Sequence, residues 1–153
     1  QFWSYEGGIV IETPDEDFDL EIDKLRIRLL ITNLMNNAVR HGEANSVKVK
    51  VRFTQETAVI EVEDNGEGIS EEHLTQICEP FYRADSSRRR NTGGFGLGLY
   101  LCRLIAEAHG GKLTIKSEVT EGTKISVKLP RKLPRSAESD SKSAPLIPHV
   151  VSY

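Results

Sequence analysis

Two stretches of the chain carry apolar residues at the spacing of an amphipathic helix. The first begins after Asp23, a residue type that caps helix N-termini, and ends near Gly42. Its apolar positions are Ile27, Leu30, Ile31, Leu34, Met35 and Ala38. The second stops at Gly110-Gly111, and its apolar positions are Leu97, Leu101, Leu104, Ile105 and Ala108. We predict two helices packed side by side, each with one buried face.

Other segments alternate apolar and polar residues, as strands with one wet face do. Their apolar positions are Val47, Val49, Val51 and Phe53, then Ala58, Ile60 and Val62, then Leu113 and Ile115, and last Ile125, Val127 and Leu129. The short β-branched segment 8–12 predicts a further strand, and an acidic connector follows it over 13–23. A sheet that is wet on one face must be covered by helices on the other, so the pattern predicts two layers.

Length and composition indicate one globular domain, since the 153 residues are 38% hydrophobic and 28% charged. Beyond Pro130 the sequence becomes rich in proline, serine and charge. We therefore expect a folded domain over 1–130, followed by a Pro/Ser-rich tail or an artificial extension over 131–153.

Charge and cysteine usage exclude several classes of function. The net charge of −3 gives no overall attraction to nucleic acid or to an anionic membrane. Cys78 and Cys102 form no C-x-x-C pair and lie near no histidine cluster, so a zinc site is not expected and a reduced, cytoplasmic setting fits best. No apolar run reaches the roughly 18 residues of a membrane span, and no signal peptide is recognisable.

The first helix carries a polar stripe along one edge of its apolar face. Asn33, Asn37, Arg40 and His41 stand at the i, i+4, i+7 and i+8 positions of that helix. Such an edge borders the core and is partly dry. The stripe predicts either a binding site or an ordinary solvated flank.

A carboxylate at a strand end is the second candidate. Asp64 follows Ile60 and Val62 at a period of two, so we expect it to point to the apolar face, where an unpaired carboxylate is costly. A backbone N–H, a threonine or the exocyclic amine of an adenine could satisfy it. Gly66 and Gly68 would let a flat base approach closely, although D-x-G-x-G also occurs as a simple turn.

The third candidate is the long aperiodic stretch 79–95, which runs directly into the start of the second helix. Loops of this length in compact domains are usually functional or disordered. A helix N-terminus preceded by glycines offers free N–H groups to a phosphate chain, and the arginines 88–90 could neutralise outer phosphates. The alternative is a basic loop that only faces solvent.

Four ordered blocks resemble the N box, first glycine box, F box and second glycine box of sensor histidine kinases. They are N-L-M-N-N-A-V-R-H-G, D-N-G-E-G-I, E-P-F-Y-R-A-D and G-G-F-G-L-G-L, with H-G-G after the last. The resemblance covers roughly residues 8 to 129. It implies the α/β (α+β) two-layer sandwich shared with gyrase, Hsp90 and MutL: a mixed sheet of about five strands, about three helices on one face, and a long ATP lid.

The resemblance also implies roles for the polar stripe and the strand-end carboxylate. Asn37 would bind Mg²⁺ and bridge it to the phosphates of ATP, and Asn33 would support the same region, which makes these two the catalytic candidates. Arg40 would contact phosphate, and His41 would lie beside the base or the ribose. Asp64 would accept a hydrogen bond from the adenine amine.

Further nucleotide contacts are implied by the glycine boxes and the F box. The base pocket would be lined by Gly66, Gly68 and Ile69. Phe81 would anchor the lid, with Arg83 where the lid approaches the nucleotide. The phosphates would be surrounded by Gly94, Phe95, Gly96, Leu97, Gly98 and Leu99. Phe95 departs from the family, which usually has a small threonine or serine there, so a hydroxyl contact to phosphate is lost.

The partners follow from the same resemblance. None of His41, His73, His109 and His149 stands in an H-E-[LF]-R-T-P-like block, so we expect the phosphorylated histidine on a separate dimerisation domain of the parent protein. A response regulator would be the next partner, and the parent could be anchored in the inner membrane. Two alternatives remain: an ATP-hydrolysing relative and a nucleotide-binding module without catalysis.

Overall fold

A computed structural model of the chain describes residues 2–5, 8–42, 47–84 and 96–132. Within these ranges the chain forms six strands and three helices. In chain order they are β1 (Phe2–Tyr5), β2 (Ile9–Glu12), α1 (Lys24–His41), β3 (Val47–Phe53), β4 (Thr57–Asp64), α2 (Glu71–Leu74), α3 (Gly98–Ala108), β5 (Lys112–Glu118) and β6 (Gly122–Pro130).

The strands form one mixed sheet in the order β1-β2-β3-β4-β6-β5. Only the β2–β3 pair among them is parallel, and the other neighbours run antiparallel. Parallel neighbours need a crossover connection, and α1 lies in that connection. The predicted mixed sheet and helical layer are confirmed. The described sheet has one strand more than expected, because the edge strand β1 was not recognised in the sequence.

Both ends of α1 are where the sequence predicts them. The Asp23 side chain caps its start, accepting hydrogen bonds from the backbone N–H groups of Leu25 and Arg26 at 3.0 Å each. At its end the N–H of Gly42 donates to the carbonyl oxygen of Ala38 at 2.7 Å. The predicted apolar face is buried at Ile27, Leu30, Leu34 and Ala38. Because both ends and the buried face of α1 are fixed, its polar stripe has a defined position beside the core.

The predicted buried face of the second helix was wrong at Leu101, Leu104 and Ala108, which are exposed, whereas Ile105 is buried and Leu97 is half-buried. The residues that α3 buries are Leu99, Cys102, Ile105 and Ala106, whereas Leu101 and Leu104 are 36% and 40% exposed. The apolar residues of α3 point to nearly every side of the helix, so their spacing alone does not show which face is buried. The small Cys102 and Ala106 let α3 approach α1 closely, and the Cys102 Sγ contacts the carbonyl oxygen of Leu30 at 3.5 Å. In the described parts of the chain, no helix combines the length and apolarity needed to cross a membrane.

The opposite face of the sheet carries paired charges. Lys50 contacts Glu12 at 2.6 Å, and Lys124 contacts Glu63 at 3.0 Å. Exposed ion pairs of this kind contribute little to stability. The charged face lies opposite the helical layer, so the candidate site residues of α1 and α3 lie on the other side of the sheet.

Candidate functional site

One end of the site forms where α1 ends against the D-x-G-x-G turn. A Cβ atom built on Gly66 would lie 1.8 Å from the carbonyl oxygen of His41, and one built on Gly42 would lie 3.1 Å from the Cβ of Asp64. Only glycine permits so close a backbone approach at position 66. The last residues of α1 therefore pack directly against the turn that follows β4.

Asp64 lies at this junction, at the end of β4, and is only 9% exposed. Its burial agrees with the direction that the strand period predicts. Burial raises the pKa of this carboxyl group, and the backbone N–H groups of Gly66 and Thr123 counteract part of the rise. The Gly66 N–H donates to Oδ1 at 3.0 Å. The fold thus keeps a hydrogen-bond acceptor in a partly dry position.

The turn is also bonded to the β5–β6 hairpin. Gly68 has a φ of +71°, and a Cβ there would lie 2.0 Å from the carbonyl oxygen of Glu118. The N–H of Ile69 donates to the Oγ of Ser117 at 2.8 Å, and that hydroxyl lies 2.8 Å from the Oγ1 of Thr123. The sequence analysis missed Ser117 and Thr123, because only the strand register reveals that Thr123 lies opposite Asp64.

The other end of the site forms where the asparagines of α1 face the start of α3. Asn33 and Asn37 are both half-buried. A Cβ built on Gly98 would lie 3.5 Å from the Oδ1 of Asn33 and 4.0 Å from the Oδ1 of Asn37. The amide nitrogen of Asn33 donates to the carbonyl oxygen of Leu29 at 3.1 Å, so its oxygen is the atom turned towards α3. Two amide oxygens and a helix N-terminus therefore meet here.

Arg40 and His41 are both exposed in the last turn of α1, and the backbone of His41 adjoins Gly66. Partial shielding by its neighbours lowers the pKa of the His41 ring, and the positive charge of Arg40 adds to this effect. The folded chain therefore binds a proton on His41 less tightly than the unfolded chain does. As a result, the free energy of unfolding decreases as the pH falls from 6.5 through the lowered pKa of His41. A neutral imidazole is favoured at physiological pH.

Phe81 and Gly96 join the two ends of the segment that contains the predicted lid. The N–H of Phe81 donates to the carbonyl oxygen of Gly96 at 3.0 Å. Phe81 has a φ of 66° and an exposed ring, and such strained backbone is typical of functional segments. Arg83 is exposed two residues later. The predicted site residues Gly94 and Phe95 lie outside the described residues.

Leu97 and Leu99 flank Gly98 at the start of α3. Leu97 is half-buried and precedes the helix, and its side chain cannot cap the free N–H groups. The side chain of Leu99 belongs to the hydrophobic core. Any contact of Leu99 with a ligand would therefore come from its backbone.

A surface depression of about 250 Å³ opens at the end of β4, and Asp64 lines it. Its lining is Gly8, Val10, Val47, Lys48, Glu63, Asp64, Asn65 and Glu121. None of the α1 asparagines contributes to this lining, so the depression is distinct from the junction of α1 with α3.

The glycines of the two glycine-rich blocks should respond differently to alanine. We expect Gly66→Ala to destabilise the fold by about 3 kcal/mol or more, because its Cβ would overlap the His41 backbone. Gly98→Ala should change stability by less than about 1 kcal/mol and in the favourable direction, since its Cβ meets only ordinary contacts within a helix. Urea unfolding of both variants measures the difference, and equal destabilisation would contradict it.

Comparison with known sequences gives one family over most of the chain. The profile described as histidine kinase-, DNA gyrase B-, and HSP90-like ATPase matches residues 22–133. Sensor histidine kinase YkoH of Bacillus subtilis is 37% identical over 123 residues, which are 80% of this chain and 27% of the relative. Sensor protein SrrB of Staphylococcus aureus is 36% identical over 110 residues, 71% of this chain and 19% of the relative. The chain thus spans about a quarter or less of these relatives.

A solved structure gives the same picture. The nucleotide-free catalytic domain of histidine kinase ThkA superposes with a TM-score of 0.67 at 29% identity. The match covers 80% of this chain and 78% of that chain. The two-layer fold described above is therefore that of a histidine kinase catalytic domain.

Proposed function

Because this chain belongs to the family of histidine kinase-, DNA gyrase B-, and HSP90-like ATPases, we propose that it binds Mg²⁺-ATP and presents the γ-phosphate to a histidine on a separate domain. It would thereby act as the catalytic domain of a protein-histidine kinase in two-component signalling. The relatives named sensor histidine kinases support this reading. The folded domain would extend over 1–130, with 131–153 as a tail.

One observation carries the proposal: α1 contacts both ends of the site. Its last residues pack against Asp64 and Gly66, and its asparagines face Gly98. A helix rises about 1.5 Å per residue, so about 6 Å along the axis separates Asn37 from His41. A carboxylate suited to a base and amide oxygens suited to a metal are therefore held on one rigid support.

The asparagine end suits the metal and the phosphates. Mg²⁺ prefers oxygen ligands, and the Asn37 side chain offers an amide oxygen near the free N–H groups of α3. When bound, the ion would neutralise negative charge on the phosphate oxygens. The hydrogen bond from Asn33 to Leu29 would orient the Asn33 side chain, which would support the same region. The exposed Arg40 would contact phosphate.

The Asp64 end suits the adenine. Its carboxylate can accept a hydrogen bond from the exocyclic amine, and His41 would lie beside the base or ribose. The backbone of Gly66, Gly68 and Ile69 would line the base, and the bond from Ile69 to Ser117 stiffens that wall. These residues would bind and orient the nucleotide and take no part in proton transfer.

The remaining contacts would come from the segment that Phe81 and Gly96 close. Phe81 and Arg83 would contact the lid and the nucleotide, and the phosphates would meet the glycine block and the start of α3. The residues proposed there are Gly94, Phe95, Gly96, Leu97, Gly98 and Leu99. The phosphorylated histidine would belong to the dimerisation domain of the same parent protein, and a response regulator would receive the phosphate next.

Hydrolysis of ATP is the nearest alternative. The hydrolysing members resemble the pattern E-x-x-x-N, in which a glutamate activates water, and Asn33 occupies the glutamate position here. An amide is a very weak base, so Asn33 cannot take a proton from water as a glutamate can. These facts favour transfer to a histidine over hydrolysis.

Mixing the chain with the acceptor domain of its parent protein, Mg²⁺ and γ-labelled ATP tests the proposal. Acid-labile phosphohistidine on the acceptor domain is the expected product. Release of free phosphate without the acceptor would instead identify an ATPase. Nucleotide binding with neither product would identify a binding module without catalysis.

A further inference from the structure

His109, in the H-G-G block, makes two hydrogen bonds that fix its protonation. The buried ring accepts at Nε2 from the backbone N–H of Asp23 at 3.1 Å. Its Nδ1 lies 2.7 Å from the carbonyl oxygen of Ile105. An N–H can only donate and a carbonyl can only accept, so Nε2 carries no proton and Nδ1 carries one. The two partners therefore hold His109 as a neutral ring in the Nδ1–H form.

The bond from Asp23 joins two helix ends that lie 86 residues apart in sequence. Asp23 is the N-cap of α1, and His109 is the C-cap residue of α3. The Asp23 side chain already caps α1, and its carbonyl oxygen accepts from the N–H of Ile27 at 2.9 Å. Its own N–H would be left without this partner if His109 were replaced, which is costly in a part-buried position.

Three contacts show that α1 and α3 run antiparallel. The start of α1 meets the end of α3 at Asp23 and His109. The middle of α1 meets the middle of α3 where the Cys102 thiol contacts the Leu30 carbonyl. Further along α1, Asn33 and Asn37 face Gly98, the first residue of α3. A helix is stiff along its axis, so fixing one end of α3 against α1 also fixes the position of its other end along α1.

We infer that His109 is a positioning residue: its bond to Asp23 sets the axial alignment of α3 on α1 and so places Gly98 against Asn33 and Asn37. A slip of one residue along the axis would move these groups by about 1.5 Å. Displacements near 1 Å can reduce activity about a hundredfold. This inference rests on the proposed function for its effect on ATP, although the alignment itself can be measured without ATP.

Two amide replacements separate the long-range bond from the local one. A glutamine carries its amide one bond further out than an asparagine. The amide of His109→Gln can therefore take the place of Nε2 and accept from the backbone N–H of Asp23, whereas the amide of His109→Asn takes the place of Nδ1 and reaches only the carbonyl oxygen of Ile105. His109→Phe keeps a flat ring and restores neither. We expect His109→Gln to bind Mg²⁺-ATP within about threefold of the wild type, and the other two to bind about tenfold more weakly.

Adenosine is the matched control ligand, because it lacks the phosphates that the asparagine end is proposed to hold. Its affinity should change by less than about threefold in all three variants.

In the free protein, the amide resonance of Gly98 and the side-chain resonances of Asn33 and Asn37 should move in the Asn and Phe variants and stay in place in the Gln variant. Nitrogen-15 spectra of the wild-type ring should show a proton on Nδ1 and none on Nε2.

Three results would overturn the inference. The first is a wild-type ring that carries a proton on Nε2. The second is rescue by His109→Asn with none by His109→Gln, which would leave only a local role at the end of α3. The third is equal loss of adenosine and Mg²⁺-ATP. If the wild type binds no Mg²⁺-ATP, the proposed function fails, while the ring tautomer and the Gly98 resonance still decide the alignment.

Discussion

Asp64→Asn should weaken ATP binding by about 1 to 3 kcal/mol, roughly 5- to 150-fold in Kd. Oδ1 of Asp64 accepts from Gly66, so an asparagine would place its oxygen there and turn its NH₂ group towards the adenine amine. Two donors would then face each other. Isothermal titration with ATP gives the loss, and the preference for ATP over GTP should shrink, because guanine presents an acceptor where adenine presents an amine.

The same substitution should leave the free domain as stable as before or more stable. Burial raises the pKa of Asp64 above 3.8, so the folded chain holds this proton more tightly than the unfolded chain. The contribution of Asp64 to the free energy of unfolding is therefore largest where its carboxyl group is protonated, and it falls as the pH rises from 3.8 through the raised pKa. An asparagine removes this cost at pH 7, and thermal unfolding without nucleotide should show it.

Glu63→Gln is the matched control, since it removes the same charge from the adjacent, exposed position on the charged face. It should leave ATP affinity unchanged. Equal ATP affinity in Asp64→Asn and the wild type would remove Asp64 from the site. A large loss of stability in Asp64→Asn would instead mean that its carboxylate mainly supports the turn through Gly66.

Asn37→Ala should abolish most of the dependence of ATP binding on Mg²⁺. Even outer partners in metal sites contribute about 10- to 100-fold to affinity, so loss of the proposed ligand oxygen should cost about tenfold or more. The fold should survive, because alanine is favoured over asparagine within a helix by up to about 0.7 kcal/mol. The ratio of Kd values measured with EDTA and with Mg²⁺ reports the effect directly.

Asn36→Ala is the control on the same helix, because Asn36 is exposed and lies off the stripe. The ratio of Kd values should not change in that variant. Asn33→Ala should have a smaller effect than Asn37→Ala, since Asn37 is the proposed metal ligand and Asn33 is proposed only to support the same region. An unchanged ratio in Asn37→Ala would remove this residue from the proposed metal site.

Local signals predicted α1 and five of the six described strands. The capping residue Asp23, the apolar spacing that follows it and the terminal Gly42 specify one helix, and the period of two turned Asp64 inwards as expected. The face of α3 could not be predicted, because its apolar residues surround the helix. The four-residue β1 and α2 are too short to give a periodic signal.

Contacts between distant segments were the part that local patterns could not supply. Ser117 and Thr123 support the Asp64 end only because β6 pairs with β4 in a particular register. His109 meets Asp23 only because the two helices run antiparallel. The family resemblance named the glycine and asparagine positions, and their ligand contacts remain predictions until a nucleotide complex tests them.

The parallel pairing of β2 with β3 has a consequence for how the domain folds. Residues 13–46 lie between these strands, so the pair cannot form until a long loop that includes α1 has closed. The strands β3, β4, β6 and β5 pair antiparallel, and β3–β4 and β5–β6 are hairpins closed by short turns. Since non-local contacts form slowly, we expect the hairpins to form first and α1 to dock late. Partial unfolding would then detach the asparagine-bearing helix while much of the sheet persists, and the proposed kinase activity would be lost before most of the secondary structure.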